Sequence, residues 1–353
     1  MTDFEIYQLA GNVISSITKD IQESFYSDLN GELSIIWSEE KKINAWAESV
    51  GEVDKPPFHK IGFHYELIRQ IYRDIELYSE YIESQVDDSI FDMWFHADAQ
   101  PYELLTSHFA KKAYINNMFM AAITWIFFHE LGHLKQEHGY IRHKYTNTTI
   151  SKIHEMNIID NEEISDEKAA IFHVTEMAAD FEAIDTCIFE LIRQFNGEEL
   201  KPAIYQFVCG ISCVLYRFHG AKPFKIEYYP QGTHPNPLVR LENIIPQIYE
   251  FFSLEAVHQV IDIELTRESM VKICSSAATS VGLFWLRNNN TIMQVEDNYF
   301  LMGSWNRPGM KSYLKTIVKV WDEIEPDIKK IRRFGTEFGL LTFTQENRDR
   351  LKT

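Results

Sequence analysis

A chain of 353 residues with 52 acidic against 34 basic side chains, a net charge of −18, carries no run of Lys and Arg able to hold a phosphate backbone or an anionic membrane surface. Hydrophobic residues at 45% and aromatics at 14% suffice for a large core, which excludes disorder over most of the length. Four cysteines without a C-x-x-C pairing (Cys187, Cys209, Cys213, Cys274) read as buried thiols, and the acidic start "MTDFEIYQLAGNVISS" lacks the basic and apolar segments of a signal peptide.

In chain order, residues 33–37 and 43–49 read as short strands, "GEVDKPP" as a turn, and "HKIGFHYELIRQIYRDIELYSEYI" as an extended stretch passing into a helix. From about residue 102 a helical period dominates, over 104–139, 168–196, 200–219, 239–263, 266–287 and 310–334, with Pro202 in the first turn of the third. The polar connection 140–166 is long for a compact domain, and such segments usually carry function or move. The apolar stretches 113–128 and 203–216 do not read as membrane spans. The first holds Asn116 and Asn117 and runs into a polar motif; the second falls short of the roughly 20 residues a span needs. The fold class expected is mainly α with a small N-terminal β-sheet, in a cytoplasmic protein with neither nucleic acid nor membrane as partner.

The motif is "ITWIFFHELGHLKQEHG", residues 123–139. On a helix, His129 and His133 stack on one face and can close on a single Zn²⁺. Glu130 lies about 100° round from His129, placed to act on a water without ligating the metal. This is the H-E-x-x-H zinc hydrolase pattern. The apolar flank (Ile123, Ile126, Phe127, Leu131, Leu134) marks a core helix, where charged groups need partners. His138 would lie about 140° off the face of His133 on a continuous helix and reads as solvated.

A catalytic zinc site needs a third protein ligand. "FHVTEMAADFEAIDTC" offers Glu176 and Asp180 on one face of the next helix, with Ala179 small where two helices approach. Two buried carboxylates there would repel unless a cation were near. Glu176, with the longer reach, is the expected ligand, and Asp180 the acceptor that orients a ligand histidine. The alternative is a pair that caps or salt-bridges helices. Glu182 reads as solvated.

"HELGH" followed by "EMAADFEA" resembles the gluzincin metallopeptidases, whose first glutamate of the second motif is the third zinc ligand. "THPNPLVR", Thr233 to Arg240, is similar to a T/S-H-P-x-x-x-x-R segment of the prenyl-protein and heat-shock membrane peptidases. Among soluble relatives the chain looks most like the Lit-type phage-exclusion peptidases. The resemblance implies a zincin-like core, a host-protein substrate, a role in abortive infection and a translation factor as substrate class. His234, in a Pro-bounded turn, is expected either to donate to an oxyanion or to cap the following helix. Arg240 is expected to hold Asp180 or Glu176.

The resulting expectation is a zinc-dependent endopeptidase acting on a specific intracellular protein. The metal sits on His129, His133 and Glu176, Glu130 is the base, His234 lies at the catalytic face, and Asp180 and Arg240 support the site. Its organisation would be an α+β subdomain over 1–112, a zinc-binding helical core over 113–245 and a helical subdomain over 246–353, packed as one unit. Basal activity is expected to be low, with 140–166 as a gate and an activating protein or peptide as partner. The rivals are a peptidase for repressor cleavage or protein quality control, and a non-catalytic sensor that keeps zinc for stability. Glu130 separates them, because a structural site needs no base beside its metal.

Overall fold

The computed structural model describes residues 1–148, 152–154, 164, 166–220, 222, 228–289, 300, 303, 305–307, 309–333 and 339–352. Helix α1 (Asp3–Ile21), which sequence reading did not identify, starts on a capping box. Thr2 Oγ1 accepts from Glu5 N at 3.3 Å, and Glu5 Oε2 accepts from Thr2 N at 2.7 Å. Its buried residues Ile6, Ala10 and Ile14 follow a four-residue spacing.

Strands β1 (Glu32–Ser38), β2 (Ala45–Val50), β3 (Phe58–His64) and β4 (Lys152–His154) form one sheet in the order β1-β3-β2-β4. β1 and β3 are parallel; the other two pairings are antiparallel. Gly62 of β3 faces Trp46 of β2 in register, and the indole occupies the space a Cβ would need. β3 runs directly into α2 (Tyr65–Glu83), matching the expected change from extended to helical.

The remaining helices are α3 (Asp88–Trp94), α4 (Pro101–Thr106), α5 (Lys111–Lys135), α6 (His138–Thr146), α7 (Asp166–Gln194) and α8 (Leu200–His219). They are followed by α9 (Pro237–Phe251), α10 (Glu255–His258), α11 (Arg267–Asn288), α12 (Met310–Ile331) and α13 (Gln345–Lys352). The class is mainly helical with a small sheet near the N-terminus. The expected helix over 104–139 divides into α4, α5 and the start of α6, and that over 239–263 into α9 and α10. The segment 140–166 opens as α6 and includes the edge strand β4, so it is not a continuous polar connection. Its residues 149–151, 155–163 and 165 lie outside the described ones.

α5 is buried on all sides from Met118 to Leu134 apart from Met120, Ala121 and Thr124. It packs on α7 and α8, and glycine marks both contacts. A Cβ on Gly210 of α8 would run into the Met118 carbonyl, and one on Gly132 would lie 3.2 Å from Ala179 Cα and O. The small residue the sequence offered at position 179 is thus where α5 and α7 touch.

One apolar core runs from Ile6 through Phe119 and Ile126 to Trp285; a second joins Ile141, Val174 and Ala178 to Tyr313 and Trp321 of α12. α7 belongs to both, with Ile184 and Cys187 in the first core. Each large apolar side chain so buried stabilises by about 1.5–3 kcal/mol, so α7 is a rigid support for side chains. All four cysteines are buried and unbridged. Among the described residues α11 alone is long and apolar enough to cross a membrane, and 78% of its apolar window is buried inside the fold.

Candidate metal and catalytic site

The contact between Gly132 and Ala179 sets the four-spaced histidines of α5 against the carboxylates of α7. His129 Nε2 and His133 Nε2 are 3.1 Å apart. Glu176 Oε2 lies 3.3 Å from the first, and Oε1 lies 3.4 Å from the second. All three side chains are buried. Donors held about 2.0–2.1 Å from a tetrahedral ion stand roughly 3.3 Å apart; each imidazole nitrogen has one Glu176 oxygen at about that distance, and one ligand atom from each of the three residues lies within 4.8 Å of the others. Two imidazole nitrogens and a carboxylate are a suitable donor set for such an ion. Among the described residues the group of converging donors comprises these three. Glu130, next to His129 on α5, is fully buried beside them.

Each ligand candidate has a partner behind it. His129 Nδ1 lies 2.8 Å from Asp180 Oδ1, which leaves Nε2 free of its proton for a metal. Asp180 in turn accepts from Arg240 Nε at 2.8 Å and Nη2 at 2.7 Å. Burial pushes the Asp180 pKa up, but the Arg240 charge and hydrogen bonds, together with His129, hold it below its ordinary value. Arg240 therefore contacts Asp180, with Glu176 Oε2 more distant at 3.7 Å. The guanidinium stands over the Trp125 ring at 5.6 Å, and that ring lies 5.2 Å from His129.

Glu176 is held from the opposite side by Arg142 of α6. Nη2 donates to Oε1 at 2.6 Å, and Nε donates to Thr175 Oγ1 at 2.8 Å. Burial opposes ionisation of Glu176, yet His234, His133 and His129 hold it well below the ordinary carboxylate range. Burial also lowers His133 to about 4, against the pull of Glu176. His133 is thus held neutral, as a metal ligand must be.

His234 Nε2 lies 3.6 Å from Glu176 Oε1, and its Nδ1 meets Thr233 Oγ1 at 2.9 Å. The helix cap is supplied instead by Asn236, whose Oδ1 accepts from Leu238 N at 2.9 Å with Pro237 at the first turn of α9. At 19% side-chain exposure His234 is the most open group of the set; His129, His133, Glu176 and Asp180 are at 0–1%. The turn that carries His234 is tied to α7. His173 Nε2 lies 3.1 Å from Gln231 O, and its Nδ1 lies 2.9 Å from Tyr313 OH.

Two expectations are corrected. His138 is fully buried rather than solvated, with Nδ1 2.8 Å from His133 Nδ1. The helix does not continue through it: α5 ends at Lys135, and Glu137 takes φ 51° and ψ 41°, which swings His138 back over His133. Glu182 is also buried, accepting from Gln136 Nε2 at 2.7 Å and pairing with Lys135.

The structure therefore brings His129, Glu130, His133, Glu176, Asp180, His234 and Arg240 into one site. Arg142, His138, His173 and Tyr313 belong with them and were missed. Nothing in "YIRHKYT" sets Arg142 apart from Lys144 two residues on. Comparisons with curated proteins and with solved structures find no match. The family model for peptidase U49 matches residues 66–258, more than half of the chain and a span that holds α5, α7 and the His234 turn. The chain belongs to the peptidase U49 family.

Proposed function

We propose that the chain is a zinc-dependent endopeptidase of gluzincin type, in which His129, His133 and Glu176 hold the metal and Glu130 is the general base. The observation that carries this reading is the buried pair of imidazole nitrogens 3.1 Å apart with a Glu176 oxygen 3.3 or 3.4 Å from each, and a carboxylate one helix position from His129. The chemistry supplied by a bound Zn²⁺ is Lewis-acid polarisation of the scissile carbonyl and a usable water nucleophile near neutral pH. Glu130 takes the proton of the attacking water and passes it to the leaving amine. Asp180 and Arg240 fix the ring of His129, and Arg142 holds the carboxylate of Glu176. His234, on the open side of the site, donates to the oxyanion as the carbonyl becomes tetrahedral.

A converging donor group of three supports catalysis over a purely stabilising role, since structural zinc sites close with four protein ligands. A specific intracellular protein as substrate, a cytoplasmic location and a part in phage defence rest on the likeness of "HELGH" and "EMAADFEA" to the Lit-type peptidases. The same likeness makes a translation factor the first substrate class to try. Repressor cleavage or quality control would use the same chemistry on another substrate. Low basal activity with an activating protein or peptide is part of the same proposal, and the burial of His129, His133 and Glu176 supports it.

The deciding experiment pairs metal analysis with sequencing of new protein N-termini in cells expressing wild type or Glu130→Gln. The expected result is about one zinc per chain in both, with cleavage products in wild type alone. Zinc should be lost in Glu176→Ala. Wild-type cleavage by Glu130→Gln would remove the catalytic assignment.

A further inference from the structure

His133 turns Nε2 toward His129 and Glu176, so whatever meets its other nitrogen decides how the ring is held. That partner is an imidazole rather than a carboxylate: His133 Nδ1 and His138 Nδ1 are 2.8 Å apart, with both rings buried. Such a contact needs one donor and one acceptor. If His133 Nε2 is given to a metal, its proton sits on Nδ1, so His138 Nδ1 accepts and His138 carries its own proton on Nε2.

That nitrogen lies 3.3 Å from Gln136 Oε1, which only accepts. Gln136 Nε2, which only donates, reaches Glu182 Oε2 at 2.7 Å and Ala178 O at 3.4 Å. Glu182 then pairs with Lys135. Reversing the Gln136 amide would set an oxygen against the Glu182 carboxylate and an NH₂ against His138 Nε2–H. The charged end therefore fixes the direction of every link.

We propose that the run His133–His138–Gln136–Glu182 fixes the tautomer and ring orientation of His133, as Asp180 and Arg240 do for His129. His138 and Gln136 are positioning residues and not ligands. The inference rests on the metal reading of the triad. The backbone is arranged to make this contact. Glu137 adopts the left-handed conformation that a side chain with a Cβ disfavours. It is kept there by Arg333, by Ser49 Oγ at 3.3 Å and by His59 Nε2 at 3.7 Å. The neutral partner also makes His133 a less basic ligand than His129, whose partner is a carboxylate.

The test is chelator competition for Zn²⁺ with the full chain as wild type, His138→Ala, His138→Asn and Gln136→Leu, alongside urea unfolding of the metal-free proteins. His138→Ala should weaken zinc binding by roughly 10–100-fold. His138→Asn, whose amide oxygen can stand where Nδ1 stands, should recover most of that loss, and Gln136→Leu should show a smaller one. In the zinc-loaded wild type, nitrogen NMR of the rings should find His133 protonated at Nδ1 and His138 at Nε2. This measurement decides the matter even if His138→Ala does not fold. Tight wild-type binding that His138→Ala leaves unchanged, or a His138 proton on Nδ1, would overturn the inference. A wild type that binds no zinc would overturn the metal reading and this inference together, a result distinct from either.

Discussion

Asp180→Asn tests the support of the site at its most connected point. Asp180 is completely buried and meets three donors: Arg240 Nε and Nη2 at 2.8 and 2.7 Å, and His129 Nδ1 at 2.8 Å. Asparagine keeps the volume but removes the charge and turns one acceptor into an NH₂. Whichever way the amide rotates, that NH₂ faces the guanidinium, and at the Oδ1 position it faces the imidazole N–H as well. Removing one partner of a buried ion pair costs about 3–5 kcal/mol. The lower end applies here, because the remaining amide oxygen still accepts and Glu176 Oε2 lies 3.7 Å from Arg240. Urea unfolding of the metal-free protein should therefore show a loss of about 3 kcal/mol. Zinc affinity should fall by roughly 10–100-fold, or about 1.4–2.8 kcal/mol. Adding Arg240→Met removes the stranded cation, so the double variant should regain stability without regaining zinc affinity. Unfolding and zinc binding both equal to wild type in Asp180→Asn would refute the reasoning.

His234→Ala should keep its zinc and lose about 10²–10³ in turnover, read as metal content against cleavage rate, as for loss of one oxyanion donor. The metal-free chain should lose stability as pH falls from 7 to 5. Burial lowers His133 to about 4 and His173 to about 3 from an ordinary 6.5. Below pH 6.5 the unfolded chain therefore takes up protons that the folded one refuses, and each histidine removes about 2 kcal/mol over that interval. The depressed carboxyls of Glu176 and Asp180 add losses of the same sign at still lower pH. A flat unfolding free energy between pH 7 and 5 would count against the neutral, buried histidines. Gly210→Ala should destabilise by about 1–3 kcal/mol in urea despite alanine's better helix propensity, since the new methyl would run into the α5 backbone at Met118 and Ala122.

What the sequence made legible were the relations that a helix fixes locally. The four-residue spacing of His129 and His133, and of Glu176 and Asp180, survives whatever the helices pack against. Ala179 hinted at the crossing point because close approach needs small residues, and the structure sets it against Gly132. The ends of elements were harder to read. "SHFA", residues 107–110, has neither Gly nor Pro to announce the break between α4 and α5. Pro246, which should stop a helix, sits inside α9. The costliest miss was Glu137. No pattern marks a glutamate as left-handed, because its conformation is imposed by contacts with Arg333, Ser49 and His59 that are remote in sequence. From that one turn follow the burial of His138 and the course of α6, and hence the place of Arg142. A continuous helix would have put all three elsewhere.

The carboxylates of α7 show how such a site can be dry and still ionised. Glu176 takes its cation from α6, Asp180 from α9 and Glu182 from the last residue of α5. Segments that precede and follow α7 in the chain are thus drawn onto it by charge pairing, in a setting where any unpaired member would be heavily penalised. Around His129 and His133, Glu176 and Asp180 stand against Arg142 and Arg240, with His133 held neutral and Glu130 buried. Two buried carboxylates thus meet two guanidiniums beside a group of three residues that could hold a metal ion. Packing alone would have favoured apolar side chains at these positions. The use of paired, buried charges in their place argues that these residues are there for chemistry and not for the stability of the fold.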